Sequence, residues 1–403
     1  MKSLQELYRI GHGPSSSHTM GPFAAAEIFL NRAPDAAQYT VTLYGSLAAT
    51  GKGHFTDKAL LSVLPEERTN IIWAPETVLK EHPNGMLFTA EDEKNNIIAQ
   101  WKVFSIGGGA LSENGKSAST PDCYDFASMH EILETCLKRG IPMWQIVEET
   151  EGLDYLEKVY DTMMQCIDNG LCREGVLPGG LQLGRKARSV YMKTKSLTAE
   201  VRRTGLLAAY AYAASEENAS LGLVVTAPTC GSCAVIPAVF RFLQETCGCS
   251  KNEMIRALAV AGLVGNVIKR NGSISGAEVG CQGEIGSACA MASAAAAYLL
   301  GGSVRQCEYA AEIGLEHFLG LTCDPVMGLV QIPCIERNCV AANHAITAAE
   351  IALISDGHHL VSFDDAVMAM LKTGHDLPSL YKETSLGGLA GILREKAKFP
   401  CKK

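Results

Sequence analysis

Charged and aromatic residues are both sparse in this 403-residue chain, at 19% and 6%. No block of lysine and arginine longer than three occurs, and acids outnumber bases 43 to 35 for a net charge of −8. A basic surface is therefore missing, and nucleic acid is not an expected partner. Long apolar runs are missing too. The most apolar stretch, Ala288 to Leu300, is 13 residues of mostly alanine interrupted by Ser293, whereas a spanning helix needs roughly 20 strongly apolar residues. No membrane association is expected. Residues 1–20 lack the basic-then-apolar pattern of a secretory signal, which places the expected location in the cytoplasm. No repeat of 20–50 residues is visible, and no HExxH spacing occurs among the ten histidines.

With 47% hydrophobic residues the chain has ample material for a core, and its length implies two domains or more. The N-terminal part mixes helix and strand signals. Met20 to Arg32 has helical periodicity, and Tyr39 to Tyr44 (YTVTLY) alternates with β-branched residues. Ile71–Trp73, Met86–Thr89 and Ile97–Phe104 read as further short strands. An α+β domain over residues 1–115 follows, with the polar stretch 110–125 as linker. From Phe126 on the pattern is helical, with candidates at 126–139, 142–166, 196–217, 234–246, 251–269, 284–300, 303–319, 337–354, 363–372 and 386–396. The fold class is thus α+β: a small N-terminal α+β domain, then a mostly α-helical domain over 126–403. Dense alanine and glycine in the second part point to closely approaching helices.

Fifteen cysteines in a chain without a secretory signal call for free core thiols or metal ligands rather than a disulfide framework. Three stand in unusual settings: Cys281 in GAEVGCQGE, Cys323 in LTCDP and Cys334 in QIPC, with 41 and 10 residues between them. Zinc ribbons and bacterial-type ferredoxins use pairs two residues apart. The spacing alone leaves ligand and core thiol both open. Cys230-Gly231-Ser232-Cys233 is a CxxC at an expected helix start, where a helix N-terminus lowers a thiol pKa. Its readings are a redox pair, ligands, or small residues in a tight turn.

Two loops suit a small anion. Ser15, Ser16, Ser17, His18 and Thr19 precede the first helix and offer hydroxyls beside free N–H groups. One cap residue would suffice, so the surplus favours binding. Lys382 to Ser385 before Gly387-Gly388 looks similar. His18 and His54, the latter in TGKGHFTD, lie in polar, glycine-rich turns where an accessible imidazole suits general acid–base work, with Asp57 placed to orient His54.

In order along the chain stand GPSSSHTMGP, LYGSLAATGKGHFTD, HPNGMLF, SIGGG, EGVLPGGL, VVTAPT, GAEVGCQGEIGSACAMA, LTCDPVMGLVQIPCIERN and YKETSLGGLAG. On these motifs, from Gly11 to Leu393, the chain resembles the iron–sulfur-dependent L-serine dehydratases. The resemblance implies a [4Fe-4S] cluster held by Cys281, Cys323 and Cys334, with one iron left without a protein thiolate. That iron would act as Lewis acid on the hydroxyl of a small amino-acid substrate. The resemblance also implies His54 as the base for the Cα proton, with His18 nearby for binding or proton exchange, and a homodimer; the loop chemistry suggests Ser15, Ser16, Ser17 and Thr19 as holders of the substrate carboxylate or ammonium. No motif calls for pyridoxal phosphate. Two departures stand out. Relatives carry Asn-Gly after TAPT where this chain has Cys230-Gly231, which leaves L-threonine, L-cysteine or a D-amino acid as alternatives to L-serine. Cys401 is followed by two lysines, whereas some relatives end in a cysteine that caps the open iron. The readings from other classes are a cluster-based redox or sensor protein, and a zinc-stabilised binding protein.

Overall fold

The computed structural model describes residues 1–113 and 121–396. The chain divides into two units: residues 12–120, and residues 1–11 together with 121–403. Cys401 lies outside the described residues, as does 114–120 of the expected linker.

After a three-residue strand β1 (Ile10–His12), the N-terminal unit runs α1 (Gly21–Arg32), β2 (Gln38–Tyr44), α2 (Gly45–Thr50), α3 (Thr56–Leu61), β3 (Thr69–Ala74), β4 (Gly85–Glu91), β5 (Ile97–Ser105) and β6 (Leu111–Ser112). Its five-stranded sheet has the order β3-β2-β4-β5-β6, parallel between β2 and β3 and antiparallel elsewhere. The alternation in YTVTLY sets the buried face, because side chains of a strand point to opposite sides in turn. Tyr39, Val41 and Leu43 are buried, and register pairs Val41 with Phe88 and Leu43 with Met86. Phe88 pairs onward with Trp101 and Met86 with Val103. Against this face α1 lays Ala25, Ala26 and Phe29, whose ring lies 5.2 Å from that of Phe88. Part of the expected linker is sheet: Ser112 pairs with Phe104. Two short helices, α2 and α3, flank the glycine-rich segment 51–55, which is a turn as the sequence indicates.

The second unit is helical: α4 (Met129–Arg139), α5 (Met143–Glu151), α6 (Asp154–Cys172), α7 (Ala187–Thr194), α8 (Ala199–Asn218), β7 (Leu223–Val225), α9 (Val235–Cys247), α10 (Lys251–Asn271), α11 (Gly276–Val279), α12 (Ser287–Leu299), α13 (Val304–Glu316), α14 (Cys334–Leu353), α15 (Phe363–Asp376) and α16 (Gly388–Glu395). The stretch expected as one helix over 142–166 is broken at Gly152, whose φ of 73° ends α5. Ser250 with Glu253 and Ser303 with Gln306 form capping boxes that start α10 and α13.

Helix α12 is the centre of this unit. Residues Ser287 to Ala297 are all buried, and α9, α10, α13 and α14 pack around it. Its alanines let these neighbours approach, so the apolar stretch at 288–300 is a core helix. Among the described residues no helix is long and apolar enough to cross a membrane. Residues 1–11 thread into the same core: Leu4, Leu7 and Tyr8 are buried, Tyr8 Oη donates to Leu258 O at 3.0 Å, and Thr226 Oγ1 donates to Leu7 O at 2.6 Å.

Glycine is required where α6 meets α8. A Cβ on Gly170 would stand 2.2 Å from the carbonyl oxygen of Ala213. That atom is backbone, so relief needs a helix to move. Gly170→Ala should therefore destabilise the chain by about 1–3 kcal/mol, read as a lowered midpoint in urea melts.

Candidate functional site

The three singled-out cysteines converge within the helical unit. Each is placed by a different device. Cys281 follows Gly280, whose φ of 77° and missing Cβ let the chain turn against the Leu321 carbonyl, and it caps a π-turn (Gln282–Gly286) that runs into α12. Cys334 opens α14. Cys323 is held in a short ladder: its N–H donates to Tyr381 O at 2.8 Å, and its carbonyl accepts from Glu383 N at 2.8 Å. The segment around Lys382 thus braces the cysteine loop. Ser385 Oγ donates to Pro325 O at 2.6 Å, Thr384 Oγ1 to Leu380 O at 2.8 Å, and Leu389 N to Asp324 Oδ2 at 2.7 Å. Those hydroxyls are engaged with backbone, so the expectation of a second anion loop there gives way to a structural clamp.

Cys323 donates a hydrogen bond to Cys281, which holds the Cys281 thiol below its usual range, while that same bond and burial push Cys323 well up. Burial, then the charges of Cys281 and Glu284, push Cys334 up. Around the sulfurs lie Glu284, Glu383 and Arg337. Thr229 Oγ1 donates to Glu284 Oε1 at 2.7 Å, and Cys323 Sγ is 3.9 Å from Glu284 Oε2. Arg337 donates to Thr322 O at 2.6 Å and to Asp324 Oδ1 at 3.2 Å, with its charge acting on Cys281. Burial, then Glu284 and Cys281, push the Glu383 carboxyl up to about 8. Of these partners only Glu383 lay in a stretch singled out in the sequence for binding, the loop from Lys382 to Ser385. A signal was present, since Glu284 and Arg337 each follow a cysteine by three residues, the spacing of one helical face.

The donor set fits an iron–sulfur cluster. Among the described residues no three His, Cys, Asp or Glu side chains are arranged to share a single ion. A cluster does not ask for that, because each thiolate meets a different iron. Three thiols from three segments, with an arginine to offset their charge, suit it.

The CxxC is different. Cys230 and Cys233 are buried, and burial pushes both thiols up rather than down. Desolvation outweighs the helix start, which overturns the expectation of a lowered thiol at this position.

In the N-terminal unit, His18 and His54 stand together, their rings 4.7 Å apart. Both are buried, not accessible as the turn chemistry suggested. Burial, then His54, lowers His18 well below its usual value, and burial lowers His54 to about 4. The serine loop builds this pair. Ser15 Oγ accepts from His18 N at 3.1 Å, Ser17 Oγ is 2.8 Å from His18 Nδ1, and Ser46 Oγ is 3.1 Å from His18 Nε2. Thr19 Oγ1 donates to His54 O at 2.8 Å, and Thr56 Oγ1 donates to His18 O at 2.6 Å. Asp57 does not orient His54: its carboxylate accepts from Lys58 N. Among the described residues His54 Nδ1 has no hydrogen-bond partner.

The chain is thus of a two-part class, with a sheet unit carrying a buried histidine pair and a helical unit carrying three gathered cysteines. The sequence profile of the serine dehydratase beta chain matches residues 3–69, and that of the alpha chain matches residues 85–390. The alpha match begins at β4, inside the sheet. The L-serine dehydratase of Streptomyces coelicolor is 40% identical, covering 96% of this chain and 98% of that protein. Those of Haemophilus influenzae and Escherichia coli (L-serine dehydratase 1) are each 38% identical, covering 97% of this chain and 99% of their own length. The chain belongs to the L-serine dehydratase family.

Proposed function

We propose that the protein is a lyase that deaminates L-serine to pyruvate and ammonia, with a [4Fe-4S] cluster held by Cys281, Cys323 and Cys334 and His54 as base. The gathering of those three cysteines, in a chain of this family, is the observation that carries the reading. When bound, the cluster supplies an open iron that acts as a Lewis acid on the substrate hydroxyl. Arg337 offsets the negative charge of the sulfurs. His54 takes the Cα proton at Nδ1: burial keeps the imidazole neutral at pH 7, and that nitrogen has no competing partner. The enamine left by loss of water tautomerises and hydrolyses to pyruvate and ammonia.

His18 keeps its ring fixed through Ser17 and Ser46 and packs beside His54. Ser15, Ser17 and Thr19 each bond a neighbouring group and Ser16 stands beside them, so the loop presents its hydroxyls together as the holders of the substrate carboxylate. Ser16→Ala and Ser17→Ala should each raise KM for L-serine by roughly 10-fold, and steady-state kinetics with unchanged constants would remove them from the site.

The test is anaerobic purification with iron and sulfide analysis and a pyruvate assay. L-serine-dependent pyruvate from iron-loaded protein is expected, with activity decaying in air. Colourless, zinc-loaded protein, or a cluster that cycles redox state without pyruvate, would refute the reading. Competition on one preparation ranks L-serine above L-threonine, L-cysteine and D-serine. Light scattering is expected to give the mass of a homodimer.

A further inference from the structure

We infer that Glu284 recognises the ammonium group of the substrate and so sets the preference for amino acids over hydroxy acids. The inference rests on the serine dehydratase reading. An α-amino acid arrives as a zwitterion. Its hydroxyl and carboxylate find partners in a Lewis acid and in hydroxyl groups, but the ammonium needs an anion to be desolvated at tolerable cost.

Glu284 is positioned for that task. Thr229 Oγ1 fixes Oε1 at 2.7 Å, and Thr229 is itself 3.2 Å from Ser232 Oγ, which donates to Ala227 O at 3.3 Å. The carboxylate is thus aimed by a chain of bonds anchored in backbone. Its other oxygen meets only the Cys323 sulfur, at 3.9 Å. A carboxylate accepts about four hydrogen bonds, so most of its capacity is open. Among the described residues no lysine, arginine or histidine forms an ion pair with Glu284; Arg337 bonds Thr322 and Asp324, and its charge reaches Glu284 only at longer range. Burial and the charge of Glu284 push the neighbouring Glu383 carboxyl up to about 8, so it does not compete with Glu284 for a cation. A half-buried, oriented carboxylate that forms no ion pair is suited to receive a ligand cation. The backbone is cut back to suit. A Cβ on Gly276 would lie 2.8 Å from Glu284 Oε2 and 3.2 Å from Cys323 Sγ, and one on Gly231 would lie 3.1 Å from Oε1. Only glycine lets both loops come this close to the carboxylate.

The experiment uses iron-loaded protein and rapid-mixing titration read before appreciable turnover, followed by the absorption of the cluster. The probes are L-serine and 3-hydroxypropionate, which has the same hydroxyl and carboxylate and no ammonium. The unaltered protein should bind L-serine at least about 100-fold more tightly, because a site built for a polar group rejects the analogue lacking it. In Glu284→Gln that preference should fall to within about 5-fold, and Glu284→Asp, which keeps the charge, should retain most of it. A Glu284→Gln protein that keeps the full preference overturns the inference. Should that variant fail to hold iron, Thr229→Val serves: loss of the orienting bond should shrink the preference by about 10-fold, and an unchanged preference overturns the inference as well. Failure of the parent reading looks different, since the unaltered protein would then form no pyruvate from L-serine.

Discussion

Cys323→Ala should purify without bound iron or sulfide and release no pyruvate from L-serine, while keeping its fold. Cys323 gives the site its sulfur through the side chain, but it holds its loop through backbone: the bonds to Tyr381 O and from Glu383 N survive the substitution. Loss of one buried thiol costs about 1 kcal/mol of stability. Loss of Lewis-acid assistance, worth several kcal/mol, corresponds to a rate decrease of at least about 10³-fold. The two scales separate ligand from core residue. Cys289→Ala is the control. Cys289 is equally buried and donates to Ala341 O at 3.5 Å from within α12. That variant should lose a comparable amount of stability and keep its iron. Iron retained in Cys323→Ala would show that the thiol is not a ligand.

How much of this was legible beforehand depends on the range of the interaction. The sheet of the N-terminal unit follows from local alternation, because Tyr39, Val41 and Leu43 must share a face and that face fixes the register against Phe88 and Met86. Long periodic helices such as α10 and α13 announce their starts through Ser250 and Ser303. What local reasoning missed depends on partners far away in sequence. Nothing in residues 1–11 says that Tyr8 will bond Leu258. Nothing in the CxxC says that its thiols will be sealed from solvent, so the helix-start argument gave the wrong direction for their acidity. The histidines misled for the same reason. Polar, glycine-rich surroundings suggest exposure, yet the hydroxyls of Ser15, Thr19 and Thr56 satisfy the backbone around the two rings and allow both to be buried. The cysteine trio lies between these cases. Its local settings singled it out, its spacing left ligand and core thiol both open, and only family resemblance assigned it to a cluster. The clamp from Lys382 to Leu389 shows why spacing could not: Cys323 is placed by a segment some sixty residues away.

His54→Ala should keep its iron and sulfide, bind L-serine within a few-fold of the unaltered protein, and lose kcat by roughly 10³-fold, the usual contribution of a positioned base. That combination distinguishes a base from a ligand or a structural residue. The pH dependence follows from burial. With the imidazole lowered to about 4, His54 is already neutral across the physiological range, so kcat/KM should run flat from about pH 7.5 down to about 5.5 with no limb at the ordinary histidine value of about 6.5. A limb at that value would place the working base elsewhere. Stability carries the same signature with a definite sign. The folded state holds His54 neutral below the pH at which the unfolded chain takes up a proton. The unfolded state therefore binds more protons between about 4 and 6.5, and stability contributed by the neutral ring is present above 6.5 and lost as pH falls through that window. Urea melts of the iron-free protein should show His54→Gln losing about 2 kcal/mol less than the unaltered chain between pH 7 and pH 5. Equal losses would mean that the ring is protonated in the fold, and a protonated imidazole cannot accept the Cα proton.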